Sequence, residues 1–244
     1  MTWKPWTGAA LLAAALAGPA VAEADKPTAK PGGTAAEAKM VQELMDARTK
    51  YQTMLEQARA WYIANGELEK ARWAEEELRQ YHRIPKQAFR LDKDVPPAVL
   101  KASTNMLEAN ELYRRAMLYK DKGWGNDYVD NQHRAEILLR RLLNDYPQSD
   151  KIGDAAYQLG DIYESRAYRQ YRRAATFFER SFQWNPTTQT DARLRAARLY
   201  DKVLLDRTEA VRLYEEVLQH ETDPKRMQEA QQRLAELKGA SSGK

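Results

Sequence analysis

The alternation of apolar and polar positions is helical from residue 39 almost to the end of the chain, and it is clearest at residues 152–186. There Ala156, Leu159, Ile162, Tyr163 and Arg166 recur at steps of three and four. Tyr171, Ala174, Ala175, Phe178 and Phe182 do the same a few residues later. Such steps place side chains on one face of an α-helix. Asn185-Pro186 closes the second helix, because proline lacks an amide donor and disfavours helix in the residue before it. Two helices this short cannot bury an apolar face by themselves, so the pattern requires neighbours of the same kind.

Those neighbours are present. The spacing Ala174, Phe178, Ser181, Pro186 returns upstream as Ala135, Leu139, Leu142, Pro147. It returns downstream as Ala210, Tyr214, Val217, with the proline displaced to Pro224. A first helix precedes each, with a small residue three positions before a tyrosine: Ala116 and Tyr119, Gly160 and Tyr163, Ala197 and Tyr200. This arrangement resembles the tetratricopeptide repeat (TPR) family, whose signature includes Leu-Gly-x2-Tyr, then Ala-x3-Phe, then Pro. Leu159, Gly160, Tyr163, Ala174, Phe178 and Pro186 match it. The other two units match less fully, and Leu112, Ala156 and Arg193 stand where the family has an early Trp.

The resemblance covers residues 106–239. It implies three repeats plus a C-terminal capping helix at 225–238, where Met227, Ala230, Leu234 and Leu237 form an apolar face. Solenoids need such a cap at an end. The fold class expected is all-α: a helical hairpin followed by a right-handed TPR-type α-solenoid, with a tail at 240–244. The resemblance further implies that the first helices line a concave groove. Aligning Ala116, Gly160 and Ala197 gives its partner-binding positions: Tyr113, Met117 and Lys120; Asp154, Tyr157, Asp161 and Glu164; Leu194, Arg198 and Asp201. This groove would be amphipathic and acidic in its middle, suited to a basic or neutral segment with apolar anchors. The competing reading is a solvated charged face.

Two further stretches are candidates for contact. Residues 120–134 carry Gly123-Trp124-Gly125 and Asn126-Asp127, all breakers. Trp124 then belongs to a recognition loop or folds back over the helix pair. Arg166, Arg169, Arg172 and Arg173, with Tyr168 and Tyr171, form a basic-aromatic cluster. It would bind an anionic cell-wall glycan or membrane surface, or its arginines would pair with neighbouring carboxylates.

Ahead of the repeats, Val41, Leu44, Tyr51, Leu55, Ala58 and Tyr62 form a seam of nearly three heptads, interrupted by Arg48. Asn65-Gly66 stops it. Leu68, Ala71, Leu78 and Tyr81 continue on a second helix that Pro85 ends. Residues 39–83 therefore read as a hairpin, either a degenerate extra repeat or a short coiled coil through which the chain forms a homo-oligomer. Trp61 and Trp73 lie outside the seam. Residues 84–105 hold Pro85, Pro96 and Pro97 and read as a linker, with Phe89, Leu91 and Val95 to pack it down.

Composition adds an address. Residues 1–22 read as a secretory signal: Lys4, an apolar run over 8–17, and Ala20-Val21-Ala22 as the cleavage site. Residues 23–38 are small and polar, a flexible linker. With no Cys in the chain, a lipid-anchored form is excluded, and the mature chain is expected to be exported, in a bacterial periplasm, without a transmembrane segment. The layout is similar to that of exported bacterial TPR proteins associated with the Tol-Pal system and cell division. The repeat type is similar to that of outer-membrane assembly lipoproteins.

Charge excludes one class. The 39 basic and 35 acidic residues are interleaved and sum to +4, so there is no stripe for nucleic acid. His82, His133 and His220 each lie in a different element without a partner at metal or triad spacing. No HExxH, GxSxG or P-loop run occurs. The function expected is a non-enzymatic protein-binding scaffold of the cell envelope, without cofactor or metal.

Overall fold

The structure is a computed structural model and describes residues 35–84 and 86–239. The signal at 1–22, residues 23–34 of the following linker, Pro85 and the tail at 240–244 lie outside the described residues. Among the described residues the chain forms helices and no β-strand, with one isolated parallel bridge between Thr104 and Ser149.

The helices are α1 (Ala35–Ala64), α2 (Leu68–Arg83), α3 (Leu91–Asp94), α4 (Leu107–Tyr119), α5 (Gly125–Asp145), α6 (Ile152–Glu164), α7 (Tyr171–Trp184), α8 (Ala192–Lys202), α9 (Arg207–His220) and α10 (Pro224–Gly239). From α4 to α10 each helix packs on the next in chain order. The hairpin α1–α2 joins them through α2 on α5 and α1 on α3.

The apolar face read at 152–186 is the centre of the core. Leu159, Ile162, Tyr163, Ala174 and Phe178 are all fully buried. Gly160 is there because a Cβ would stand 2.7 Å from the Phe178 ring. Two of the repeat tyrosines reach back to a carboxylate on the preceding helix: Tyr163 donates to Glu136 at 2.6 Å, and Tyr200 to Glu179 at 2.9 Å. Each buried hydroxyl is thereby satisfied.

Four boundaries differ from the sequence reading. Helix α1 starts at Ala35, inside the expected linker, because Ala35-Ala36-Glu37-Ala38 is a run of strong helix formers. Helix α5 starts at Gly125, so most of the loop expected at 120–134 is helical. Gly123 and Gly125 hold φ of +78° and +54°, which turns the chain in five residues, and Asp127 then sits favourably in the first turn. Pro224 does not close the third repeat but opens α10, behind Asp223, whose carboxylate accepts from the Lys225 and Arg226 amides at 2.8 and 3.2 Å. The linker at 84–105 contains α3 and is tied down. Trp184 donates through Nε1 to the Pro97 carbonyl at 3.0 Å, and Arg180 through Nε to that of Pro96 at 2.8 Å. Val95 is buried, whereas Phe89 stays exposed.

The hairpin turns where Gly66 adopts φ +75° and the Glu67 amide donates to Tyr62 O at 2.9 Å. Its two helices meet through the Tyr51 and Tyr81 rings, 5.2 Å apart, and the Arg59–Glu75 pair at 3.2 Å. The α1 seam therefore has its partner within the same chain. It is only partly covered: Val41 is buried, while Leu44 and Tyr51 are exposed.

Candidate functional site

The alignment-derived positions lie on α4, α6 and α8, and the structure links these helices side to side by polar contacts. Lys120, at the end of α4, pairs with Asp161 of α6. Arg195 of α8 reaches the same Asp161 at 2.6 Å and Glu164 at 2.5 Å. Tyr157 donates to Asp191 at 2.7 Å. Gln158 of α6 donates to the Tyr113 hydroxyl at 3.4 Å. Beyond α8, Arg198 pairs with Glu229 of α10, and Arg233 of α10 with Asp201 at 2.8 Å. Asp154 pairs with Lys151, the residue just before its own helix, at 3.3 Å.

The carboxylates expected to make this face acidic are thus matched by cations. Burial opposes the Asp161 charge, but Lys120 and Arg195 outweigh it and hold the carboxyl below its ordinary range. Burial likewise opposes the Lys120 charge, and Asp121 and Asp161 outweigh it and raise the ammonium pKa. Leu194 is buried, 2% exposed, and is core rather than surface. Tyr113 and Met117 are half-buried on the same face. Trp124 stands alone at the α4–α5 turn, 84% exposed, so it does not fold back over the helix pair.

Sequence reasoning missed Arg195, which cross-links two of its site residues. Its signal was present, since a cation on α8 faces the acidic turn of α6 once Gly160 and Ala197 are aligned. The arginine cluster divides. Arg173 is buried against Asp94, Nε to Oδ2 at 2.6 Å, and over the Tyr163 ring at 3.8 Å. Arg166 lies over the Tyr128 ring at 4.4 Å. Arg166, Arg169 and Arg172 are exposed and make no ion pair among the described residues.

The hairpin presents a further surface. Trp61, Ile63, Leu68 and Trp73 are all exposed around its turn. Large apolar side chains left exposed at a turn are a candidate contact surface. Among the described residues, no three His, Cys, Asp or Glu side chains gather as a metal site would need, and no helix is long and apolar enough to cross a membrane. Comparison with protein-family models, with curated proteins and with solved structures returns no match to this chain.

Proposed function

We propose that this chain is a non-enzymatic, TPR-like scaffold of the bacterial cell envelope, a right-handed solenoid of three helix pairs that binds a protein or peptide partner on its α4–α6–α8 face. The observation that carries the reading is the recurrence, in α6–α7 and α8–α9, of one buried pattern with the same tyrosine-to-carboxylate tie. Because the charges of that face are matched, the partner is held by Tyr113, Met117 and the neighbouring Trp124 more than by net charge. The secretory signal read at 1–22 supports a periplasmic address for the mature chain.

Photo-crosslinking tests this reading. A crosslinker at position 117 or 124, in the full chain produced in an exporting bacterium, is expected to trap one envelope protein. The same crosslinker at Arg141, exposed on α5, is expected to trap none. Equal trapping at all three positions, or at none, would remove the proposal. A mature N-terminus still carrying Met1, read by mass spectrometry, would remove the address.

A second reading rests on Arg166, Arg169 and Arg172, the exposed arginines without ion pairs. They suit an anionic glycan or membrane surface. Salt-sensitive cosedimentation with peptidoglycan or anionic vesicles, lost in a triple Gln variant, would favour it over the scaffold.

A further inference from the structure

Between the base of the hairpin and the repeats lies a cleft of ≈ 170 Å³ walled by α1, the end of α2 and the residues after it, α5, and the start of α7. Its charges do not cancel. Four cations, Arg48, Lys86, Arg140 and Arg173, line it against two carboxylates, Asp94 and Glu136. Both carboxylates are already engaged. Asp94 accepts from Arg173 Nη2 at 2.9 Å and Arg140 Nη1 at 3.1 Å. Glu136 accepts from the Tyr163 hydroxyl at 2.6 Å and from that of Tyr168. Arg48 and Lys86 have no carboxylate within ion-pair reach among the described residues. Lys86 rests over the Tyr81 ring at 3.9 Å and donates to the Tyr81 carbonyl.

Two histidines complete the wall. His133 is 5% exposed and its Nδ1 has no hydrogen-bond partner; His82 Nε2 is likewise buried without one. Orphaned buried polar atoms beside uncompensated cations require something to satisfy them.

We infer that this cleft binds a tetrahedral oxyanion, free or as the phosphoryl or sulfate head of a larger molecule, through Arg48, Lys86, His82 and His133. The chemistry selects the class. A dianion matches the two surplus positive charges. The four groups come from separate elements, which suits several oxygens better than a planar carboxylate does. The cleft's volume exceeds that of two or three waters at about 30 Å³ each, enough for such an ion. The inference does not depend on the scaffold reading.

Binding should also take up protons. In the free protein, burial and then the Lys86 charge push the His82 imidazole down, with Glu56 and Glu136 opposing and His133 adding slightly. Burial pushes His133 down too, with Glu136 and Asp130 opposing and Lys86 and Arg83 assisting. Burial first, and Arg48 after it, lower Lys86 to about 8, against the pull of Glu136. An anion favours the charged form of all three. Affinity therefore rises as pH falls from 9 to below 6.

The experiment is calorimetric titration of the full chain with inorganic sulfate, whose charge is constant over that range, alongside proton NMR of the histidine rings. Saturable one-to-one binding that tightens at least tenfold between pH 9 and pH 6 is expected. Sulfate should move the His82 and His133 resonances and leave His220, on α9, in place. Lys86→Gln and Arg48→Gln should each weaken binding about tenfold while the thermal unfolding transition persists. Binding that ignores both substitutions, or histidine signals that do not respond, would overturn the inference. A second arm uses vesicles of phosphatidic acid: cosedimentation lost in Lys86→Gln assigns a lipid headgroup, and its absence with sulfate still bound assigns a free ion.

Discussion

The pairs α6–α7 and α1–α2 are both antiparallel helix pairs with a seam of apolar positions, yet they bury very different amounts. Helices α6 and α7 each contribute eight buried residues. The much longer α1 contributes only Val41, and α2 only Ala71, Ala74 and Leu78. Periodicity tells which face of a helix is apolar; neighbours decide how far that face is covered. The pair α6–α7 lies between α5 and α8, whereas the hairpin meets α5 through α2 and the short α3 through α1. Along its length it is held by the Arg59–Glu75 pair and, nearer the base, by the Tyr51–Tyr81 ring contact, ties worth little each at a surface. The hairpin is thus an arm, and the repeats are the body.

The sharpest test compares one core side chain from each. Phe178 is fully buried, and Phe178→Ala should cost about 3–5 kcal/mol in urea unfolding. Leu78, the largest buried side chain of the hairpin, should cost less, about 2 kcal/mol, on truncation to Ala, because fewer atoms are removed and fewer neighbours surround them. Equal losses would mean that arm and body share one core. Hydrogen exchange reads the same contrast without mutation: amides of α1 should exchange well before those of α6.

A second test adds a single methyl. Glycine inside a helix normally stabilises on replacement by Ala, by roughly 1 kcal/mol. At Gly160 the sign should reverse, since the new Cβ meets the Phe178 ring at 2.7 Å. We expect a loss of about 1–3 kcal/mol from overpacking. A stabilised Gly160→Ala variant would show that the ring can shift.

That glycine also marks how much could be read from the sequence. Leu159, Gly160, Tyr163, Ala174 and Phe178 are core residues as their spacing indicates, because a repeat fixes each of them by its neighbour in the next unit. The same alignment assigns the α4–α6–α8 face, but it carries nothing about that face's electrostatics. The acidic residues were counted on α6 alone, while their cations sit on α4 and α8, 31 to 41 positions away. The cleft was illegible for a stronger version of the same reason. Arg48, Lys86 and His133 come from three elements, and no local pattern links them. Helix α5 is longer than local composition indicates, because Gly125-Asn126-Asp127, breakers in isolation, serve in this order as a helix start.

The ion pairs across α4, α6 and α8 give the third test. The Asp161 pKa is depressed from its ordinary 3.8, so its contribution is present above that value and lost as pH falls through the lower folded value. The Lys120 pKa is raised above 10.5, so its contribution is present below that value and lost as pH rises through the higher folded value. Asp161→Asn should therefore cost about 2 kcal/mol at pH 7. The gap to the unchanged protein should stay level between about pH 5 and 10 and close in acid. A gap that persists at pH 2 would mean that the residue acts through packing, not charge.

The smallest expected effect falls on the arm, and it bears most directly on what the arm is for. Trp61 and Trp73 are 59% and 60% exposed, against 1% for Trp184 in the body. Large aromatic side chains left in water add nothing to folding at those atoms. Replacing both with Ser should change stability by less than about 0.5 kcal/mol, whereas Trp184→Ser should cost several-fold more. Acrylamide quenching separates the two classes spectroscopically: the double Ser variant should lose readily quenched emission, and a Trp184 variant should lose shielded emission. If the double variant instead unfolds at clearly lower urea, the tryptophans pack against the arm and the division into arm and body fails. If stability holds, the two tryptophans add nothing to the fold of the hairpin, and the contrast in burial between α1–α2 and α6–α7 stands.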